Sequence, residues 1–298
     1  GPGLNRIYPR FPEIVSLDGE VSNSTRAEKF KDEHPERFSE MYIAEQNMVG
    51  AALGLDCLGQ IPFVSTFAAF MTRAFDQIRM SQYSDPNIKF IGSHAGVSIG
   101  KDGPSQMGLE DLAMFRTLLN GVVLYPCDAL SMEKMLEEAA AHRGPVYIRM
   151  TRPKTPVIYG PEDEFPIGGS KTLRRSEHDV ATIIAAGYTL HEALGAHEEL
   201  QEDGLPTRVI DLYSVKPLDL QALEKAADET ARLVVVEDHY AEGGIGDAVF
   251  SALRGTEFEA RHLAVTEKPG SGPCDRLLQQ QGISNAAIAQ TVREMAGE

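Results

Sequence analysis

The sequence is poor in cysteine and in positive charge. Its three cysteines, Cys57, Cys127 and Cys274, form no CxxC pair, so neither a disulfide framework nor a zinc site is indicated, and we expect a reducing, cytoplasmic location. The 28 Lys and Arg residues face 44 Asp and Glu residues, which gives a formal net charge of -16. That charge disfavours nucleic acid as a partner, because non-specific binding depends on basic residues neutralising phosphates. Small phosphorylated molecules stay compatible, since a few Arg side chains can hold them locally.

Long apolar runs are also missing. None approaches the ~20 residues that span a bilayer, and no basic-then-apolar leader opens the sequence, so we expect no membrane partner. Gly1 and Pro2 resemble the scar of a removed tag and are set aside. The 298 residues, 42% hydrophobic and 24% charged, are typical of a globular protein with room for two domains.

Short β-rich runs alternate with helical patterns from end to end. Strands are predicted at 13–17, 62–66, 88–92, 122–125, 146–150, 180–186, 207–212, 232–237 and 261–265. Helices are predicted at 44–58, 68–80, 109–119, 131–142, 190–201, 219–227 and 247–253, followed by two closing helices. Such alternation predicts an α/β fold of two doubly wound domains with mainly parallel sheets.

The domain boundary is predicted from prolines. Pro153, Pro156, Pro161 and Pro166 interrupt the alternation, which is typical of a linker. We predict a first domain at 3–160, a linker at 161–175 and a smaller α/β domain at 176–298. Only a short stub precedes the first strand, so the start of the chain is interpreted as shortened.

Glu45 is the first candidate functional residue. It opens the helix predicted at 44–58, where the helix dipole favours a carboxylate, and a first-turn acid of no special role is the simplest interpretation. The apolar residues before it, Tyr42 and Ile43, indicate partial burial, and a partly buried carboxyl can take part in proton transfer.

Two phenylalanines follow the strand predicted at 62–66. Phe67 and Phe70 share one helical face with Ala74, which is most simply core packing. The alternative is an aromatic wall at the carboxyl end of the strand, where open α/β sheets bind ligands and a flat heterocycle could stack.

The segment 92–106 is a long polar loop after a strand, and such loops are often functional. His94, Asp102 and Gln106 offer groups that could bind the hydroxyls of a polyol. Arg149 and Arg152 lie at the carboxyl end of the strand predicted at 146–150 and could bind phosphate, although a surface ion pair is the simpler alternative. Ser24 is interpreted as a helix N-cap, a position compatible with phosphate contact.

Taken in order, five segments resemble one family over nearly the whole chain. They are YIAEQNM (42–48), STFAAFMTRAFDQIRM (65–80), GSHAGVSIGKDGPSQM (92–107), IRMTRP (148–153) and VEDHYAEGGIG (236–246). Together they resemble the C-terminal half of transketolase. The last segment alone is a weak nucleotide motif, since it lacks the full GxGxxG pattern.

The resemblance implies a pyrimidine-binding domain for thiamine diphosphate followed by the family's C-terminal domain. It assigns Glu45 as the catalytic carboxylate on the pyrimidine ring nitrogen, with Phe67, Phe70 and Gln106 forming the cofactor pocket. It assigns Ser24, His94, Asp102 and Arg152 to the sugar phosphate. The implied reaction is the ketol transfer of the pentose phosphate pathway.

The sequence departs from the family in two places. The GDG motif that anchors the diphosphate through a divalent metal such as Mg is absent, as is the family's phosphate-binding Arg on the first helix. We therefore expect no metal site in this chain and a separate N-terminal transketolase subunit that supplies one. A split transketolase would assemble as a heterotetramer around a dimer core of this chain. The alternatives are an engineered fragment, the pyrimidine-binding subunit of a 2-oxo acid dehydrogenase, and a non-catalytic transketolase scaffold.

Overall fold

The computed structural model describes residues 1–297, which fold around two β-sheets. The strands are β1 (Ile14–Asp18), β2 (Phe38–Glu40), β3 (Ile61–Phe67), β4 (Lys89–Ser93), β5 (Val122–Leu124), β6 (Val146–Arg149), β7 (Lys171–Arg174), β8 (Ala181–Ala185), β9 (Thr207–Asp211), β10 (Ser214–Lys216), β11 (Arg232–Tyr240) and β12 (Glu259–Val265). The α-helices are α1 (Pro2–Ile7), α2 (Ser22–Thr25), α3 (Glu28–Glu33), α4 (Glu45–Cys57), α5 (Phe75–Ser81), α6 (Asp111–Arg116), α7 (Ala129–Ala141), α8 (Tyr188–Glu202), α9 (Leu220–Thr230), α10 (Ile245–Ala252), α11 (Cys274–Gln280) and α12 (Asn285–Ala296).

The first sheet has the strand order β10-β5-β6-β4-β3-β1-β2. Its strands pair in parallel, except that β10 runs antiparallel to β5. Six consecutive residues of β3 are buried, as expected for a strand whose two faces are both covered. Because β1, β3, β4 and β6 are parallel, their carboxyl ends meet at one edge of the sheet.

The second sheet has the order β12-β11-β8-β9-β7 and is parallel except for β7, which runs antiparallel to β9. The predicted fold class, two α/β units with mainly parallel sheets, is confirmed. Local sequence accounts for several helix starts: Asp128 and Ser131 form a capping box at α7, and Asp219 caps α9. None of the helices in the described chain is long and apolar enough to cross a lipid bilayer.

One predicted helix is split. The segment 68–80 forms a 3-10 helix at Ala68–Ala74 and becomes α-helical only in α5. The Thr72 hydroxyl donates to the Ala69 carbonyl at 2.7 Å. A side chain that bonds a local carbonyl competes with the α-helical hydrogen bond to that oxygen. Phe67 belongs to β3 rather than to the helix, so the prediction of one helical face for Phe67, Phe70 and Ala74 was wrong.

The predicted linker is largely fixed to the second sheet. Strand β7 lies inside 161–175, and Phe165 packs edge-on between Tyr159 and Tyr213, with ring centroids 4.8 and 5.1 Å away. The Tyr159 hydroxyl also donates to the buried Asp211 carboxylate at 2.6 Å. The domain boundaries themselves stay a prediction.

The two sheets are joined by direct contacts. Strand β10 comes from the C-terminal part of the chain yet pairs with β5 of the first sheet. Arg116 donates to the carbonyl oxygens of Gly243 and Gly244, the latter at 2.7 Å. These contacts fix the loop before α10 against α6, so the C-terminal part of the chain bears directly on the first sheet.

Candidate functional site at the carboxyl edge of the first sheet

Glu45 begins α4 and is only 2% exposed. Its Oε2 accepts a hydrogen bond from Arg73 Nη1 at 2.6 Å, and the Arg73 side chain is half exposed. Two nearby residues that precede it in sequence differ sharply from it, since Tyr42 is 65% exposed and Ile43 is 69% exposed. A buried carboxylate thus follows an exposed apolar pair by two to three residues in the chain. Tyr42 has a φ of +53°, a costly conformation for a bulky residue.

The aromatic residues form a stack at the ends of β3 and β4. The ring of Phe67 stacks on that of Phe70, with centroids 5.1 Å apart and planes at 16°, and on the His94 imidazole at 3.8 Å and 12°. Phe67 and Ser93 are paired across the two strands, which places His94 beside Phe67. Two segments that are 27 residues apart in sequence are therefore neighbours, as the carboxyl ends of adjacent parallel strands must be.

His94 also faces a charged pair. Asp102 Oδ2 lies 4.0 Å from His94 Nε2 and 3.4 Å from Arg152 Nε. Burial lowers the pKa of His94 to about 4, although the nearby Asp102 raises it and Arg152 lowers it further. His94 is therefore neutral at neutral pH and can both donate and accept a hydrogen bond. Its φ of +56° marks a second strained backbone position at this edge.

Gln106 lies on the opposite side of the same loop. It is half-buried and ends a short 3-10 helix, Pro104–Gln106, which packs against the 3-10 helix Ala68–Ala74 that carries Phe70. Glu45 is tied to this segment through Arg73. The structure therefore groups Glu45, Phe67, Phe70 and Gln106 around the segment 67–74.

Ser24, His94 and Arg152 line a cavity of about 1170 Å³ between the first sheet and α11. Ser24 is exposed and lies inside α2, so its interpretation as a helix N-cap was wrong; the residue that precedes α2 is Val21. The N-terminal residues Gly1 to Leu4 line the cavity as well. Its charged lining residues are Arg6, Arg26, Lys101, Asp128, Glu133, Arg152 and Lys154.

Basic residues dominate this lining, in a chain whose net charge is -16. The two acids are already engaged, because Asp128 caps α7 and Glu133 pairs with Arg6. A local positive potential in an acidic protein suits an anionic ligand. Sequence analysis missed Arg26, Lys101 and Lys154, since nothing in the spacing of single basic residues indicates a shared cavity.

Arg149 does not reach this cavity. Its side chain is fully buried, and its Nε donates to Asp111 at 2.8 Å, so the prediction that it could bind phosphate was wrong. The Arg149 guanidinium neutralises the buried Asp111 carboxylate and is needed there for stability, so it is not available to a ligand. The carboxyl end of β6 therefore offers one Arg, Arg152, to a ligand.

Two contacts of the candidate site had no signal in the sequence analysis. Arg73 pairs with Glu45, and Asp238 of β11 accepts hydrogen bonds from Val97 and Ser98 at 2.6 and 3.1 Å. Both link residues far apart in the chain. Within residues 1–297, no group of three or more His, Cys, Asp or Glu side chains is arranged to hold a metal ion.

Comparison with known proteins gives a consistent result. The family model of the transketolase pyrimidine-binding domain matches residues 1–157, and that of the transketolase C-terminal domain matches residues 170–288. The chain is 55% identical to transketolase-like protein 2 of Mus musculus over 297 residues, 99% of this chain and 47% of that protein. It is 49% identical to transketolase of Homo sapiens over 296 residues, 98% of this chain and 48% of that protein.

A solved structure of similar length also matches. It is a split-gene transketolase, described as an inactive beta4 tetramer, with a TM-score of 0.90 and 36% identity over 99% of this chain and 95% of that one. The chain spans about half the length of the curated relatives it matches.

Fold and family matches together define a two-domain α/β protein, with a candidate ligand site at the carboxyl edge of its first sheet. The chain belongs to the transketolase family and corresponds to its C-terminal half.

Proposed function

We propose that this chain is the C-terminal subunit of a thiamine-diphosphate-dependent transketolase, which moves a two-carbon ketol unit from a ketose phosphate to an aldose phosphate. The observation that carries the proposal is the stacking of Phe67 on both Phe70 and His94. Phe67 and Phe70 lie near the buried Glu45, through the segment that carries Arg73. His94 belongs to the polar loop and lines the basic cavity. The stack therefore connects the two groups of residues. A cofactor ring and a sugar phosphate could therefore occupy adjoining parts of one site.

The cofactor-side residues fit an aminopyrimidine. Phe67 and Phe70 form a stacked aromatic wall in which Phe70 is the more exposed ring, and Glu45 offers a buried carboxylate that can accept or hold a proton at a ring nitrogen. Gln106 supplies an amide on the 3-10 helix that packs against the segment carrying Phe70. Thiamine diphosphate, when bound, supplies the carbon that carries the two-carbon unit, while these residues hold the ring and set its protonation.

The substrate-side residues fit a sugar phosphate. A neutral His94 can bond a hydroxyl in either direction, and the Asp102 carboxylate accepts from a second hydroxyl. Arg152 and Ser24 can hold the phosphate, since Arg binds phosphate oxygens in a bidentate manner and the cavity lining is mainly basic. The polar loop and the basic cavity favour a sugar phosphate over a simple 2-oxo acid.

We further propose that activity requires a separate N-terminal chain that holds the diphosphate and a divalent metal such as Mg. Three observations support this. The described residues hold no acidic or histidine cluster for a metal, and Tyr42 and Ile43 leave an apolar surface beside Glu45 for another chain to cover. The similar split-gene chain, without a second kind of subunit, is described as an inactive beta4 tetramer. In this proposal, two copies of this chain form a dimer core. Two N-terminal subunits then bind to it, which gives a heterotetramer.

Cytoplasmic location is part of the proposal and rests on cysteine usage. Cys57, Cys127 and Cys274 are all free thiols, as a reducing compartment maintains them.

The test is reconstitution. The chain is mixed with an N-terminal transketolase chain, thiamine diphosphate and Mg²⁺, and ketol transfer from xylulose 5-phosphate to ribose 5-phosphate is assayed. We expect transfer by the mixture and none by either chain alone. Activity restricted to pyruvate-like acids would favour a 2-oxo acid dehydrogenase subunit. An assembly whose activity does not depend on this chain's Glu45 would favour a non-catalytic scaffold.

A further inference from the structure

The polar loop of the first sheet is held by the C-terminal part of the chain. We define the substrate loop as residues 94–106. Asp238 is fully buried near the end of β11, and its Oδ1 and Oδ2 accept hydrogen bonds from the backbone amides of Val97 at 2.6 Å and Ser98 at 3.1 Å. These amides lie between His94 and Asp102 in sequence. A carboxylate from a strand of the second sheet thus fixes the start of the 3-10 helix Val97–Asp102, which follows a strand of the first sheet.

The fit between this carboxylate and the loop is close. Gly96 has a φ of +83°, and a Cβ atom placed on it would lie 2.1 Å from Asp238 Oδ2. A side chain at position 96 would therefore be strained and would also displace the carboxylate. The loop backbone passes Asp238 at a distance that only glycine allows.

A second contact holds the middle of the loop. The Ser271 hydroxyl donates to the Lys101 carbonyl at 2.7 Å, one residue before Asp102. Gly100, with a φ of +79°, lies close to the residue after Ser271. A Cβ atom placed on Gly100 would lie 3.0 Å from the Gly272 carbonyl oxygen. The segment just before α11 therefore supports the loop from another direction.

Arg149 fixes Asp238 and the far end of the loop together. Its Nη2 donates to the Asp238 carbonyl at 2.8 Å and to the Gly108 carbonyl at 2.9 Å. Burial raises the pKa of the Asp238 carboxyl, whereas Arg149 and the two loop amides lower it. The loop ends, the carboxylate and the guanidinium form one buried network across the two sheets.

We propose that Asp238 is a positioning residue, through which the C-terminal domain fixes the substrate loop and thereby sets the affinity of the site for sugar phosphates. The affinity part of this inference rests on the proposed function. Asp238 touches neither the cofactor pocket nor the cavity, and acts through the placement of His94 and Asp102.

The first experiment uses the isolated chain and is independent of activity. Hydrogen exchange is measured for the Val97 and Ser98 amides in the unmodified chain and in Asp238→Asn. The carboxamide side chain of the variant has nearly the same shape as that of Asp238 but carries no charge. Its NH2 group cannot accept a hydrogen bond, so one of the two loop N–H groups loses its acceptor. We expect exchange at both amides to be at least about tenfold faster in the variant, in keeping with the strength of hydrogen bonds to charged groups. Unchanged exchange would overturn the proposal.

The matched control is the neighbouring residue. Glu237 is also a fully buried carboxylate that accepts two backbone amides, at Ile245 and Gly246, but both belong to its own domain. Glu237→Gln should lower stability and leave exchange in the substrate loop unchanged. Faster loop exchange in both variants would mean that any loss of stability opens the loop, which would overturn a specific role for Asp238.

The second experiment uses the assembly with the N-terminal chain. For Asp238→Asn we expect KM for the sugar phosphates to rise about tenfold. Half-saturation by thiamine diphosphate should stay within about twofold, because the affected hydrogen bonds lie at the start of the loop, at Val97 and Ser98, whereas Gln106 lies at its other end on a separate 3-10 helix. Ser271→Ala, which removes one contact near the surface, should act in the same direction and more weakly. If Asp238→Asn folds poorly, the KM of Ser271→Ala provides the test instead.

Two failures are distinguishable. Faster loop exchange with an unchanged KM for sugar phosphates would overturn the positioning role and leave the proposed function intact. If the unmodified assembly showed no ketol transfer, the proposed function would fail, and the exchange measurement on the isolated chain would still decide whether Asp238 holds the loop.

Discussion

Arg73 Nη1 donates a 2.6 Å hydrogen bond to Glu45 Oε2, so the carboxylate proposed to bind the cofactor already has a cationic partner within its own chain. Glu45 is buried while Arg73 is half exposed. The second carboxylate oxygen of Glu45 keeps its capacity to accept. The pair therefore stabilises a buried charge without closing the site to a ligand.

Removing Arg73 should cost stability. In Arg73→Gln the buried carboxylate loses its charged partner, and we expect the free energy of unfolding to fall by about 1–2 kcal/mol. Urea unfolding of the two single variants and of Arg73→Gln with Glu45→Gln would isolate the coupling. The control is Arg79→Gln, which breaks a surface ion pair with Asp76 and should change little. Equal effects of the two arginine substitutions would contradict a special role for the Glu45 pair.

His94 should remain neutral well below neutral pH. Burial is the largest cause of its lowered pKa, which lies at about 4. The measurement is an NMR titration of the histidine ring carbons, with the exposed His178 observed in the same spectra. Asp102→Asn should lower the His94 pKa further because it removes a favourable charge, and Arg152→Gln should raise it because it removes a repulsive one. A His94 that titrated together with His178 would contradict the described burial.

Asp211 should make the chain less stable as pH rises. Burial raises its pKa from 3.8 to about 7, so between these values the unfolded chain is ionised while the folded chain keeps the proton. Stability from this group is complete below about pH 4 and is lost as the pH rises through about 7. Thermal unfolding from pH 4 to 8 should show a smaller decline in Asp211→Asn than in the unmodified chain or in the exposed control Asp228→Asn. Parallel profiles for all three would contradict the raised pKa.

Calorimetry should separate the chain from its assembly. The isolated chain should bind thiamine diphosphate weakly, and added Mg²⁺ should not tighten binding, because this sequence lacks the GDG motif that anchors the diphosphate through a metal in the family. Addition of the N-terminal chain should make binding tight and metal-dependent. Tight, metal-dependent binding by the isolated chain would contradict the division of the site between two chains.

The sequence predicted those features that depend on local patterns. Continuous apolar runs such as Ile61–Phe67 mark buried parallel strands, and their order along the chain indicates which loops share an edge. The contact of Phe67 with His94 agrees with that order, because the two residues lie at the carboxyl ends of neighbouring parallel strands. Three of the four edge strands were missed: β2, β7 and β10 have three or four residues each, and in β7 half-buried and exposed positions alternate.

Contacts between distant segments could not be predicted in the same way. Asp238 is adjacent in sequence to Glu237, and the two carboxylates are equally buried, yet one caps a helix of its own domain and the other holds the substrate loop. Which amides a carboxylate meets depends on how the two sheets pack, and a single sequence contains no such information. The same reason hid the pairing of Arg73 with Glu45 and the fully buried environment of Arg149.

The central claim is that Glu45 takes part in activating the cofactor, and the most direct test is the turnover of Glu45→Gln in the assembly with the N-terminal chain. We expect kcat for ketol transfer to fall by at least about a hundredfold, the scale of a lost proton-transfer group, while the exposed control Glu36→Gln keeps full turnover. A Glu45→Gln assembly that turns over within about twofold of the unmodified one, far less than the loss of such a group should cost, would contradict the account.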